Sequence, residues 1–163
     1  LLRSAQIDPP FILVGHSFGG LNVRLFANTY PELVAGLVLI DPSHEEQEDK
    51  WVPFLSEDSK NLYKELCTKE GTRDDFLKSL EQVRNSRRTL GDLPLIILSA
   101  GRKDHNTDIS QEKWIQLHQD LLTLSSRHSH VIVENSGHNI HLEQPERVIE
   151  AIREMVQISK KAT

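Results

Sequence analysis

The sequence predicts an α/β fold with a parallel sheet of about four strands and helices on both faces of the sheet. Four short runs of Val, Ile and Leu show little alternation with polar residues, which is typical of parallel strands covered on both sides. Helical patterns lie between and after these runs, and this alternation indicates parallel pairing. A chain of 163 residues is long enough for one such domain.

The four predicted strands follow the chain in order. They cover residues 11–14, 36–40, 95–99 and 131–134, and the second ends directly before Asp41. All four are short and apolar, so each could be buried inside a sheet. The polar loop that follows each strand is then expected at one edge of that sheet, where α/β folds build their sites.

Three helices are predicted around these strands. The first covers residues 21–28, directly after the first strand. We predict Ser110 as the N-cap of the second, whose apolar positions are Trp114, Leu117, Leu121 and Leu124. The third carries Pro145 in its first turn and an apolar face of Val148, Ile149, Ile152, Met155 and Val156.

Residues 42–92 interrupt this rhythm. The stretch is rich in charged residues and shows no convincing strand, but its apolar residues recur at partly helical intervals. We therefore predict two or three amphipathic helices, inserted as a lid or cap into a core that is formed by residues 1–41 and 93–163.

Composition excludes several classes of function. The formal net charge of −5 and the absence of a Lys/Arg cluster make a nucleic-acid partner unexpected. No apolar run approaches the ~20 residues of a membrane span. Cys67 is the only cysteine, which excludes an intrachain disulfide and a cysteine zinc site. With no signal pattern at the start of the chain, the expected location is cytoplasmic.

A G-x-S-x-G pentapeptide, residues 15–19, is the most informative motif. It lies between a predicted strand and a predicted helix, the context in which a tight turn lifts a nucleophilic serine, here Ser17, above the sheet. We expect Gly15, Gly19 and Gly20 to permit the close approach of strand and helix at this turn.

A serine hydroxyl needs a base and a group that orients the base. Ser17 is followed along the chain by well-placed aspartates and then by His138, which is the order expected for this type of turn. His138 comes directly after the fourth predicted strand, and Gly137 leaves the backbone free to aim its ring.

These motifs resemble the α/β-hydrolase superfamily, in particular its small serine esterase-like members. The pentapeptide is similar to the family's nucleophile elbow, residues 30–41 to the link into its sixth strand, residues 95–104 to its seventh strand and acid loop, and residues 136–146 to its histidine loop. The resemblance implies that this chain corresponds to the C-terminal part of that fold, from the elbow onward.

The resemblance leaves two candidates for the acid. The family usually places the acid after the seventh strand, where Asp104 lies in a G-x-x-D arrangement, and this is our preference. Some members place it at the end of the sixth strand, where this chain has Asp41. Either carboxylate could accept the Nδ1 proton of His138.

The resemblance also implies a reaction. Ser17 would cleave an ester or related acyl bond of a small molecule through an acyl-enzyme, with the Phe18 N–H in the oxyanion hole and no metal or cofactor. Trp51, Phe54 and Leu55 are candidate pocket residues in the lid, and His16 is a candidate beside the nucleophile.

Strands that precede the elbow in the family have no counterpart in this sequence. The second oxyanion donor, which normally comes from that region, is therefore not expected from this chain. One side of the first strand would be an unpaired apolar edge, which associates with other strands. Three explanations stay open: the sequence is a piece of a longer hydrolase, it is a half-domain that pairs into a homodimer, or a separate chain supplies the missing strands. The rival to an enzyme is consequently a truncated, non-catalytic α/β-hydrolase-like module that associates through this edge.

Overall fold

The computed structural model describes residues 4–68, 71–102 and 108–160. These residues form a four-stranded parallel sheet surrounded by helices, which confirms the predicted fold class. The strands are β1 (Phe11–His16), β2 (Val34–Ile40), β3 (Leu95–Ala100) and β4 (His128–Val133). The α-helices are α1 (Phe18–Thr29), α2 (Gln47–Lys50), α3 (Glu57–Leu66), α4 (Arg73–Ser86), α5 (Asp108–Leu122), α6 (Ile140–Glu143) and α7 (Pro145–Lys160).

The sheet has the order β1-β2-β3-β4, and every pairing is parallel. In the described sheet β1 is therefore an edge strand that pairs with β2 alone, as the sequence predicts. Both edge strands expose apolar side chains: Val14 on β1 is 41% exposed, and Ile132 on β4 is 45% exposed. The expectation that all four strands are covered on both sides is wrong for these two, and holds for β3, which is buried throughout.

Alternate residues of β2 point into two separate apolar layers, because successive side chains of a strand face opposite sides of the sheet. Val38 and Ile40 pack against α7, in a layer that includes Met155. Leu37 and Leu39 pack on the other side, in a layer with residues of α1 and α5. Helices on both faces thus fix the sheet whose carboxyl edge carries the candidate site.

The segment between β2 and β3 contains α2, α3 and α4 and, in its described residues, no strand. Its two longer helices start at side-chain caps: Ser56 accepts a hydrogen bond from the Ser59 N–H, and Thr72 forms a capping box with Asp75. The apolar face of α4, which includes Phe76, Leu80 and Val83, packs against Leu21 of α1. The helices agree with the sequence prediction, whereas their role as a lid stays a prediction.

Buried charges tie this segment to the rest of the chain. Glu45, which follows β2, is 1% exposed and lies 2.8 Å from the guanidinium of Arg24 on α1, itself 2% exposed. Arg87, at the end of α4, binds the other oxygen of Glu45 at 2.7 Å and the carboxylate of Asp120 on α5, also at 2.7 Å. His44 completes the cluster through a 3.0 Å hydrogen bond to Asp120. One carboxylate therefore joins α1 to α4.

Three details of the sequence prediction are wrong. Strand β4 starts at His128 instead of residue 131, because an edge strand accommodates polar residues that hide the strand pattern. Helix α5 begins before Ser110, which is fully buried inside the helix and is not its N-cap. Ile149 is 47% exposed, since the sheet covers only part of the apolar face of α7. No helix in the described part of the chain is both long and apolar enough to cross a membrane.

Candidate functional site

Ser17 lies in the tight turn between β1 and α1. Its backbone has φ 52°, a region that residues with a side chain rarely occupy, and such strain persists only where the surroundings enforce it. A Cβ on Gly15 would lie 2.6 Å from the Gly19 carbonyl oxygen, and one on Gly20 would lie 2.6 Å from Pro42. These two glycines permit the close approach as predicted. For Gly19 the prediction is wrong, because the space beside it is open.

Three side chains meet above this turn. The Oγ of Ser17 is 3.0 Å from Nε2 of His138, and Nδ1 of His138 is 2.7 Å from Oδ2 of Asp41. A carboxylate accepts hydrogen bonds only, so Nδ1 carries the proton in this pair. In neutral His138 the Nε2 lone pair is then free to accept from the Ser17 hydroxyl. The three groups form a continuous chain from carboxylate to hydroxyl.

Asp41 is almost completely buried at the end of β2. Its Oδ1 accepts hydrogen bonds from the Ala100 backbone N–H at 2.9 Å and from the Trp114 indole N–H at 3.1 Å. Burial alone would raise the pKa of Asp41, but the His138 hydrogen bond, the nearby His118 and the Ala100 N–H outweigh it and hold the pKa below its ordinary value. The group is therefore an ionised carboxylate with a fixed orientation.

The backbone joins the serine turn to the aspartate turn directly. The Ser17 N–H donates to the Ile40 carbonyl at 3.1 Å, and the Ser43 N–H donates to the Ser17 carbonyl at 2.9 Å. Ser17 and Asp41 follow His16 and Ile40, which are register partners in the β1–β2 pair. The two turns thus lie side by side at the same edge of the sheet.

The loop after β4 brings His138 to this edge. The Gly137 N–H donates to Glu143 at 3.2 Å, and Glu143 also pairs with Arg102 at 2.6 Å. His16 donates from Nε2 to the His138 carbonyl at 2.9 Å, and the two rings lie 4.7 Å apart. Burial, together with the neighbouring His138, lowers the pKa of His16, so it acts as a neutral donor that holds the loop.

Phe18 is the first residue of α1. The first four N–H groups of an α-helix have no acceptor within the helix, and they carry its positive dipole end. The Phe18 N–H is therefore one of the unpaired donors of a helix N-terminus that begins directly after Ser17 and favours negative charge. Among residues 4–68, 71–102 and 108–160, no group of three His, Cys, Asp or Glu side chains is placed to hold a metal ion.

Known proteins are similar to this chain in sequence or in architecture. A family model described as the alpha/beta hydrolase fold matches residues 2–73, which include the Ser17 turn and its neighbours. This match and the shared fold support membership of the α/β-hydrolase superfamily. The uncharacterized protein YqjL of Bacillus subtilis strain 168 is 33% identical over 152 residues, a match that covers 93% of this chain and 59% of YqjL.

Solved α/β-hydrolase structures superimpose on nearly the whole chain. A probable hydrolytic enzyme from Pseudomonas aeruginosa PAO1 has a TM-score of 0.57 at 20% identity, with 94% of this chain and 65% of that one covered. A putative lipase from Acinetobacter baumannii AYE has 0.58 at 16%, covering 99% and 65%. An esterase from Thermogutta terrifontis has 0.56 at 21%, covering 97% and 68%. The chain thus spans about two thirds or less of the length of these α/β-hydrolase relatives.

The predicted site residues fall into three groups. Ser17, His138 and Asp41 are in contact, and Phe18 and His16 adjoin them. Asp104, the acid favoured from the sequence, lies outside the described residues. The third group comprises the predicted pocket residues of the segment after β2, namely Trp51, Phe54 and Leu55.

Those three pocket residues have different surroundings. Trp51 packs its ring 4.5 Å from that of Trp114, the residue that donates to Asp41. Phe54 lies under Lys113 at 5.3 Å, in a surface groove of about 410 Å³ between α2 and α5. Leu55 is 6% exposed. Their role in substrate binding stays a prediction.

Sequence reasoning missed the two α5 residues that approach Asp41. Trp114 was read as an apolar core position, and His118 was not singled out. The two are four residues apart on one helix face, and their rings lie 4.9 Å apart. A histidine within the apolar stripe of a predicted helix was the available signal.

Proposed function

We propose that this α/β-hydrolase cleaves an ester or related acyl bond of a small molecule through Ser17, His138 and Asp41. The observation that carries the proposal is the continuous Asp41–His138–Ser17 chain, with separations of 2.7 and 3.0 Å. It supports Asp41 as the acid in place of Asp104. The esterase and lipase among the similar structures agree with this substrate class, although at 16% and 21% identity they carry the fold alone.

In this proposal Ser17 Oγ attacks the acyl carbon while His138 Nε2 takes its proton. The Phe18 N–H stabilises the oxyanion, His138 then protonates the leaving alcohol, and water hydrolyses the acyl-enzyme by the same route. Asp41 stabilises the imidazolium and keeps its Nδ1 proton in place. The reaction uses no metal and no cofactor.

Labelling with a fluorophosphonate tests the nucleophile directly. We expect the folded protein to be labelled at Ser17, and we expect Ser17→Ala to abolish labelling because the hydroxyl next to His138 is the activated one. Ser126→Ala, at an exposed serine between α5 and β4, is the matched control and should label like wild type. A folded wild type that stays unlabelled would favour the non-catalytic module instead.

We also propose that the β1 edge pairs with another strand, from a second copy or from a complementing chain. The exposed Val14 and the β1 backbone, which pairs with β2 alone in the described sheet, support this. Equilibrium sedimentation is expected to give a mass above 18.6 kDa for the isolated chain. A single species at the monomer mass would contradict self-association, and an added N-terminal strand peptide would then test complementation.

A further inference from the structure

A buried chain of hydrogen bonds runs from β4 to the residue that follows Asp41. His130 Nε2 lies 2.7 Å from Ser99 Oγ, and Ser99 Oγ lies 2.6 Å from His118 Nδ1. At the other end, His118 Nε2 lies 2.9 Å from the carbonyl oxygen of Pro42. Ser99 and His118 are fully buried, so water does not replace these partners.

The direction of each hydrogen bond follows from the chemistry of its atoms. A carbonyl oxygen only accepts, so His118 carries a proton on Nε2. Burial lowers the pKa of His118 to about 4, which leaves the ring neutral at pH 7 and makes Nδ1 an acceptor for the Ser99 hydroxyl. Ser99 has one hydrogen, so its oxygen accepts from His130 Nε2–H. Each hydrogen bond between His130 and Pro42 therefore joins one donor to one acceptor.

The backbone at Asp41 explains why Pro42 needs such a partner. Asp41 has φ 40°, in the left-handed region that residues with a side chain rarely occupy unless their surroundings enforce it. The Asp41 N–H is bound by the Leu98 carbonyl at 2.7 Å. On the far side of the turn the Ser43 N–H donates to the Ser17 carbonyl at 2.9 Å. Proline has no N–H, so at Pro42 itself the carbonyl is the backbone group that can be held.

We propose that His118 is a positioning residue for the hydrolytic reaction: its Nε2–H holds the Pro42 carbonyl and thereby keeps Asp41 aimed at His138. Ser99 and His130 fix the tautomer of His118 that does this. The proposal rests on the proposed function for its kinetic consequence, but the geometry of Asp41 can be measured without turnover.

The same tautomer keeps His118 from competing for Asp41. Its Nδ1 lies 3.9 Å from Asp41 Oδ1, which already accepts from Ala100 and Trp114. A proton on Nδ1 would draw Oδ1 away from those two donors. Because Ser99 donates to Nδ1, that atom stays an acceptor and the carboxylate keeps its orientation.

The test compares His118→Leu, which removes both ring nitrogens, with His118→Gln, which retains an N–H donor near the position of Nε2. With p-nitrophenyl acetate as the probe, His118→Leu is expected to lower kcat by about 100-fold with KM little changed, the size of effect that a small misplacement of a catalytic group produces. His118→Gln is expected to restore most of kcat. Proton NMR of the ¹⁵N-histidine-labelled proteins should show the low-field His138 Nδ1–H resonance in wild type and His118→Gln, and lose or shift it in His118→Leu.

A folded His118→Leu protein that keeps both kcat and the resonance overturns the proposal, as does a His118→Gln protein that is no better than His118→Leu. If His118→Leu does not fold, Ser99→Ala decides, because it removes only the hydroxyl that fixes the tautomer. Ser99→Ala is expected to lower kcat and to shift the His138 resonance. If kcat or the resonance stays as in wild type, the proposal is overturned. If wild type neither hydrolyses the ester nor reacts with a fluorophosphonate, the proposed function fails, while the resonance still decides whether His118 positions Asp41.

Discussion

Replacing Asp41 with Asn is expected to lower kcat for p-nitrophenyl acetate by about 10⁴-fold while leaving the fold intact. The reason lies in the two donors at Oδ1. Ala100 N–H and Trp114 Nε1–H would hold the amide oxygen of Asn in the Oδ1 position. The amide NH₂ would then face His138 Nδ1, which would have to become an acceptor. The proton would move to Nε2, and His138 could no longer accept from Ser17.

Asp104→Asn is the matched comparison for this prediction. If Asp41 orients His138, Asp104→Asn should retain kcat close to wild type, and both variants should unfold at temperatures close to that of wild type. A large loss of kcat in Asp104→Asn together with a small loss in Asp41→Asn would reverse the assignment of the acid.

Replacing Glu45 with Ala is expected to destabilise the protein by about 3–5 kcal/mol, because it leaves the Arg24 guanidinium buried without its counter-ion. Urea unfolding followed by circular dichroism measures the free energy of unfolding. Glu150→Ala, in the exposed pair with Arg147, is the control and should change that free energy by less than about 0.5 kcal/mol. Equal losses in the two variants would show that the buried cluster contributes no more than a surface pair.

The effect of Glu45 should also depend on pH. Burial alone would raise its pKa, but Arg24 and His44 lower it to about 2 from an ordinary value of 4.5. A carboxyl whose pKa is lowered on folding stabilises fully above its unfolded pKa and loses that contribution as pH falls through the folded value. The difference between wild type and Glu45→Ala should therefore be largest above pH 4.5 and shrink towards pH 2.

Local patterns in the sequence suffice to predict the proposed nucleophile and the proposed base. Ser17 is marked by five consecutive residues between a strand and a helix, and His138 by its position directly after a strand. The choice between Asp41 and Asp104 does not follow from such patterns, since both come after neighbouring strands of one sheet. It depends on donors from Ala100 and Trp114, which lie 59 and 73 residues further along the chain than Asp41.

Long-range packing also explains the other differences. The partner of His118 is a carbonyl 76 residues away, so no local window reveals it. Ile149 belongs to the apolar face of α7 by periodicity, but the apolar layer under the sheet includes its neighbours Val148, Ala151, Ile152 and Met155 and not Ile149 itself. Periodicity predicts which residues form the apolar face of a helix, but the extent of the neighbouring sheet determines how many of them are buried.

The apolar layers on the two sides of the sheet also fix the register between β1 and β2. Ser17 and Asp41 each follow one member of the same register pair, so a slip of one residue between the strands would separate the hydroxyl from the carboxylate by about one residue length, roughly 3.3 Å. The same slip would turn Leu37 and Val38 to the wrong sides of the sheet, which the two apolar layers oppose. The packing of these buried side chains therefore keeps Ser17 and Asp41 aligned through the strand register. Mutations that loosen this packing would lower kcat before they unfold the chain.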